Sequence, residues 1–95
     1  PLVYVFLKHK HVRVCHQASM ELGQTLRSWF GDRVLGPDKP AVAKVKTMNI
    51  RKIVIKLENG INQAKVREYL RYAQEQMSKD PRYGALQIYY DVDPM

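Results

Sequence analysis

An internal disulfide is closed to this chain. Cys15 is its one cysteine, so no internal bridge can form. A lone thiol inside a helical apolar pattern reads as reduced and buried, as in an intracellular protein, with the cytoplasm as the default compartment. Long apolar runs are missing too: nothing approaches the roughly 18 residues that cross a bilayer, and the stretch 2–7 is too short and wrongly flanked for a signal peptide. No membrane partner is therefore expected. There is no G-x-x-x-x-G-K-[ST] phosphate cradle, no G-x-G-x-x-G and no nucleophile elbow, which argues against a self-contained enzyme. Repeats and low-complexity tracts are absent, and the only linker-like segment is a proline corner.

Acidic residues are in short supply. Against 16 lysines and arginines stand 9 aspartates and glutamates, a formal net charge of +7, with a pI of about 9.7. Long-range electrostatics then favour polyanions, whether nucleic acid, acidic protein tails or anionic surfaces. What is present is the composition of a folded chain, 45% hydrophobic and 26% charged over 95 residues, enough for one core and a single domain over 1–95. A sequence that opens on Pro1 reads as cut from something longer.

Periodicity places the elements. Val3, Val5 and Leu7 alternate with Tyr4, Phe6 and Lys8, a first strand over 3–9 that is apolar on both faces and so belongs in the middle of a sheet. From Val12 to Phe30, Cys15, Ala18, Leu22, Leu26, Trp29 and Phe30 recur at steps of three and four, an amphipathic helix weakened slightly by Gly23 and stopped by Gly31. Trp29 reads as a core plug. Pro37 and Pro40 forbid helix and make a corner. After it, period-two alternation over 41–48 gives a second strand with small apolar residues on one face and Lys44 and Lys46 on the other.

A turn over 47–51 leads to a third strand over 52–58, with Ile53, Ile55 and Leu57 opposed to Lys52, Val54, Lys56 and Glu58. Asn62 is a helix N-cap, with Ile61 and Val66 as a hydrophobic staple, and the helix that follows carries its stripe at Val66, Tyr69, Leu70, Ala73 and Met77 until Asp80-Pro81. A fourth strand over 85–92 sets Leu86, Ile88, Tyr90 and Val92 against Gln87, Tyr89 and Asp91, closed by Pro94. The order β-α-β-β-α-β with right-handed crossovers predicts an α+β ferredoxin-like sandwich, a four-stranded antiparallel sheet with two helices on one face.

If the aliphatic faces meet the helices, the open face carries Tyr4, Phe6, Lys8, Lys44, Lys46, Lys52, Lys56, Gln87 and Tyr89. Aromatics on an open sheet stack bases while lysines neutralise phosphates. The competing reading covers Tyr4 and Phe6 with a neighbouring domain. A second basic cluster, Lys8, His9, Lys10, His11 and Arg13, sits where the first strand gives way to the first helix, solvated or in contact with phosphate. His9, His11, Cys15 and His16 are metal-ligand types but straddle a strand–helix junction without a second ligand pair at finger spacing, so no metal is assigned. Asp91 and Asp93 share a side of the last strand, a geometry that can hold Mg²⁺ or pair for acid/base work. More commonly such a pair caps a basic edge or meets an adjoining domain.

The corner Arg33-Val34-Leu35-Gly36-Pro37, the following Pro40-Ala41-Val42-Ala43-Lys44-Val45, the terminal Asp91-Val92-Asp93-Pro94 and the opening Leu2-Val3-Tyr4-Val5-Phe6-Leu7-Lys8-His9 together resemble the carboxy-terminal domain of the primosomal protein N′ (PriA) replication-restart helicases, in order and over essentially the whole chain. The resemblance implies the carboxy-terminal fragment of an ATP-dependent 3′→5′ DNA helicase that acts at stalled forks and helps reload the replicative helicase. It also implies a fold like a small ribosomal-subunit protein. ATP, Mg and Zn would belong to other parts of that parent, and no cofactor is expected in this fragment.

The expected partners are branched or single-stranded DNA and the remainder of the helicase chain. Lys44, Lys46, Lys52 and Lys56 are the expected phosphate contacts on the sheet, Lys8, Lys10, Arg13 and Arg51 flanking ones, and Tyr4, Phe6 and Tyr89 the stacking residues. Where family members carry an Arg-Tyr or Arg-Trp hairpin, this chain has Asn49-Ile50-Arg51-Lys52, keeping charge and losing the aromatic. The family's pocket for the acidic tail of single-stranded DNA-binding protein maps to Gln63 and Arg67, where Arg67 would pair with a terminal carboxylate. Alternatives are a structural domain docked on the helicase core, or a stand-alone RNA-binding sheet module, the latter disfavoured because the third strand lacks the aromatic pattern of an RRM.

Overall fold

The alternation in the first strand governs how the sheet is built. A computed structural model describes residues 1–40 and 44–92; the side chains of Lys44 and Val45 lie outside that description, as do Ala41, Val42, Ala43, Asp93, Pro94 and Met95. In β1 (Leu2–His9) the residues Val3, Val5, Leu7 and His9 are buried, and Leu2, Tyr4, Phe6 and Lys8 occupy the other side. The remaining elements are α1 (Val12–Phe30), β2 (Val34–Asp38), β3 (Lys44–Val45), β4 (Met48–Lys56), α2 (Gln63–Ser78) and β5 (Gln87–Val92), with single turns of 3-10 helix at Gly31–Arg33 and Pro81–Tyr83.

All pairings are antiparallel, in the order β2-β4-β1-β5, with β3 also pairing β4. β1 is central, as its two apolar faces predict. Val3, Val5, Leu7, Val34, Ile53 and Ile55 from the sheet join Cys15, Ala18, Leu22, Leu26 and Phe30 of α1 and Val66, Leu70, Ala73 and Met77 of α2 in one cluster. This is the ferredoxin-like α+β sandwich, with the core between the sheet and the helices. Burial of each such Leu, Ile or Val contributes roughly 1.5–3 kcal/mol.

Both helices start and stop where local chemistry dictates. Gly31 at φ 60 closes α1 and returns its N–H to the Arg27 carbonyl. Asn62 caps α2 by accepting from the Lys65 N–H at 3.2 Å. Gly23 has a packing reason: a Cβ there would stand 3.4 Å from Pro37 Cδ and 3.3 Å from Arg27 Nη1, so the glycine lets the proline segment lie against α1. Trp29 is half-buried and packs against the core, as the plug reading expects, and its ring stacks on Tyr69 at 5.1 Å. Tyr69 is 36% exposed, unlike the buried Val66, Leu70, Ala73 and Met77 of the same stripe.

The middle of the chain differs from expectation. The proline segment is not a bare corner: Val34 and Leu35 pair with Ile55 and Val54, and Asp38 pairs with Lys52, so it is an irregular edge strand with its register shift across Gly36-Pro37. An edge position suits a residue without an N–H. At Gly36, φ is 95 and a Cβ would fall 2.9 Å from the Lys52 carbonyl, so only glycine fits. The second strand expected over 41–48 is described only as the two-residue β3. The hairpin turn is Lys46-Thr47, not 47–51, and β4 begins at Met48. The inward positions Asn49 and Arg51 are polar, which hid the start of β4 from a hydrophobic pattern.

Candidate nucleic-acid interface

Strand register assembles the open face row by row. Leu35, Val54, Tyr4 and Asp91 lie side by side across β2, β4, β1 and β5. The next row is Asp38, Lys52, Phe6 and Tyr89; beyond it lie Ile50, Lys8 and Gln87, and at the other end Lys56 faces Leu2. Phe6 and Tyr89 stack with ring centroids 5.2 Å apart and 21° between planes, and Tyr4 meets Phe6 edge-on at 6.2 Å. Lys52 Nζ sits 3.7 Å from the centroid of the Tyr4 ring. Tyr89 is 44% exposed and Lys56 is exposed, while Tyr4, Phe6, Lys8 and Lys52 are half-buried. The result is a continuous aromatic strip with ammonium groups at its margins.

The expected contacts divide among several places. Tyr4, Phe6, Tyr89, Lys8, Lys52 and Lys56 share the open face. Lys44 pairs with Asn49 through its backbone, and its side chain lies outside the described residues. Lys46 is not on a strand face: it is exposed in the hairpin turn with φ 56, the left-handed conformation that tight hairpins use. Arg51 pairs with Leu7, so it belongs to the helix-facing side of β4, away from the open face, and it is buried.

Lys10 and Arg13 are exposed around the start of α1. Gln63 and Arg67 are exposed one turn apart in α2, in the helical layer. Positions that would hold an acidic tail are thus separated from the open sheet face. Asp91 lies beside Tyr4 on that face, and its companion Asp93 is outside the described residues.

The β1–α1 junction is held by side chains that the sequence pattern did not assign. Asn49 Nδ2 donates to the carbonyls of His9 and Lys10 at 3.2 and 2.9 Å. His9 Nδ1 accepts the His11 N–H at 2.9 Å, which gives that buried imidazole a structural task. The Cys15 thiol donates to the Leu7 and Asn49 carbonyls. Burial pushes it up from its ordinary pKa, against the opposing influence of nearby Arg51. Among the described residues no group of three metal-ligating side chains converges, and no helix is long and apolar enough to cross a membrane.

The basic surface has a further signal in the sequence. Residues 1–20 contain no aspartate or glutamate, and neither do residues 39–57. β1 and β4 come from these two stretches and pair along their length, so the fold sums two acid-free segments into one region. The chain matches no known protein-family model and no curated protein sequence.

Proposed function

We propose that this domain is a non-catalytic DNA-binding module, laying single-stranded or branched DNA across the open face of its sheet within a replication-restart helicase of the primosomal protein N′ kind. The observation that carries the reading is the Tyr4–Phe6–Tyr89 strip with Lys52 over the Tyr4 ring and Lys8 and Lys56 at its margins. Aromatic faces stack unpaired bases whatever their sequence, and flanking ammonium groups hold the backbone. The resemblance of the proline segment and both terminal strands supplies the parent. Unwinding, ATP hydrolysis and metal binding would belong to other parts of it.

Fluorescence anisotropy with single-stranded and forked oligonucleotides tests the proposal. Lys52→Glu is expected to weaken binding about tenfold at low salt, because it reverses a charge at a phosphate contact. An unchanged affinity, or a log–log salt slope near zero, would sink it.

A second reading draws on the other half of the same face. Leu35 is 44% exposed beside Val54 and Tyr4, and Asp91 closes that row. An apolar, acid-edged row suits a protein surface better than phosphate, so this half would dock on the rest of the chain. Protection of Tyr4 and Leu35 from solvent labelling in the full-length protein, with no change on adding DNA, would favour docking over DNA binding.

A further inference from the structure

Arg51 is a largely buried cation that has no counter-ion among the described residues. The residue is 6% exposed, and within that description its guanidinium makes one hydrogen bond, Nη1 to the Ile50 carbonyl at 2.9 Å. The ion pairs among the described residues join Arg33 to Glu58 and Arg82 to Glu21 and Asp80, and none involves Arg51. Among the described residues no fully buried side-chain nitrogen lacks a hydrogen-bond partner, so the guanidinium nitrogens that Ile50 does not bind reach solvent, and their charge stands in a largely buried place where an anion would compensate it. The neighbouring Cys15 does not compensate, since its thiol is protonated and donates to carbonyls.

Arg51 lines an open cavity of about 440 Å³, with Val12, Arg13, His16 and Lys39 the other described residues in its wall. Each ionisable side chain among these described residues is basic. Helix α1 begins in the same wall, since Val12 and Arg13 are its first two residues. Its N-cap His11 makes no side-chain capping bond and its first turn holds no acid. The leading N–H groups of α1 therefore lack intrahelical acceptors, and the helix dipole adds positive potential at the same point.

We propose that this cavity is a phosphate-binding site, with the Arg51 fork gripping two phosphate oxygens, the leading amides of α1 taking the rest, and Arg13, His16 and Lys39 closing around the charge. Planar guanidinium forks and free helix amides are the groups that recognise this anion. The site itself rests on the cavity alone; the identity of its ligand as a DNA phosphate rests on the DNA-binding reading. Arg51 and Lys52 point to opposite sides of β4, so one strand held at both would pass round the sheet edge.

The test is an amide NMR titration of the 95-residue chain with inorganic phosphate, exchanged for chloride at constant ionic strength. Saturable shifts centred on Val12, Arg13, Val14 and the Arg51 side chain are expected, with Arg51→Gln weakening the effect at least about tenfold. Lys39→Gln, at an exposed position, supplies a variant that does not disturb the core, and it is expected to weaken phosphate severalfold. Linear, non-saturating shifts spread over all surface lysines would overturn the proposal. Competition by an oligonucleotide with and without a 5′-phosphate then identifies the source. Displacement by both means a backbone phosphate, displacement only by the phosphorylated form a strand end, and displacement by neither overturns the DNA assignment in favour of a free phosphate compound. If Lys52→Glu leaves DNA affinity intact while phosphate still saturates, the sheet-face reading falls and the cavity stands. The reverse pair of results removes the cavity alone.

Discussion

The same strands present two chemically different faces. Toward the helices, β1 and β4 offer the inaccessible aliphatics Val3, Val5, Leu7, Ile53 and Ile55, with the polar His9, Asn49 and Arg51 at one end; away from them the alternating positions are Tyr4, Phe6, Lys8, Ile50, Lys52, Val54 and Lys56. The phenyl and phenol rings of these two strands, Tyr4 and Phe6, are both in the outer set. A face built only for water would not need Phe6 stacked on Tyr89, since exposed rings keep apolar area wet without filling the core. The inner face holds the fold, and the outer face keeps a stacked pair of rings at the surface.

The largest effect that separates the faces should come from inside. Leu7→Ala removes a fully buried side chain between β4, β5 and α1 and is expected to cost about 3 kcal/mol of unfolding free energy, the middle of the range for such truncations. Urea denaturation measures it, and the DNA affinity of the folded fraction should stay as in the parent. A loss of affinity without a loss of stability would reverse the division between the faces.

The complementary change outside is Phe6→Ala combined with Tyr89→Ala. Stacking worth about 2 kcal/mol should disappear, roughly 30-fold in affinity for single strands, while the urea midpoint moves much less than for Leu7→Ala. A double variant that binds as tightly as the parent would leave the aromatic strip to docking.

The sequence displayed the inner face better than the outer one, and the reason is visible in single residues. Period-two alternation located β1 and the sides of Ile53, Ile55, Ile88 and Tyr90 correctly, and three- and four-residue steps located both helices, because each of those patterns follows burial. The hydrophobic pattern misses the start of β4 because Asn49 and Arg51 face inward as polar residues, one pinning the β1–α1 loop and the other lining a cavity. Their burial depends on contacts from distant parts of the chain, which no local period encodes. Alternation puts Lys46 on a strand face because it continues through a turn just as it does through a strand. Stacking of Phe6 on Tyr89 required the register of β1 with β5, which follows from the whole topology.

The smallest expected effect concerns an aromatic on the covered side, where a ring behaves differently from those outside. Tyr83 is 2% exposed, and its hydroxyl donates to Glu21 Oε2 at 2.7 Å, joining the turn before β5 to α1. Arg82 extends the clasp, donating to Asp80 Oδ2 at 2.6 Å and Glu21 Oε1 at 3.2 Å. Burial, then the hydrogen bond to the Glu21 carboxylate and that carboxylate's charge, push the Tyr83 hydroxyl from 10.0 up to about 12. The unfolded chain releases this proton first. Between those two pH values the folded state binds more protons than the unfolded one, so this contribution is complete below the lower value and is lost as pH rises toward the upper. Tyr83→Phe should lower stability at neutral pH by about 1 kcal/mol, the usual worth of one hydrogen bond. It should also decline less than the parent over the alkaline interval in pH-dependent urea unfolding. Parallel alkaline declines in the two proteins would show that the Tyr83–Glu21 contact does not bind its proton more tightly in the folded state.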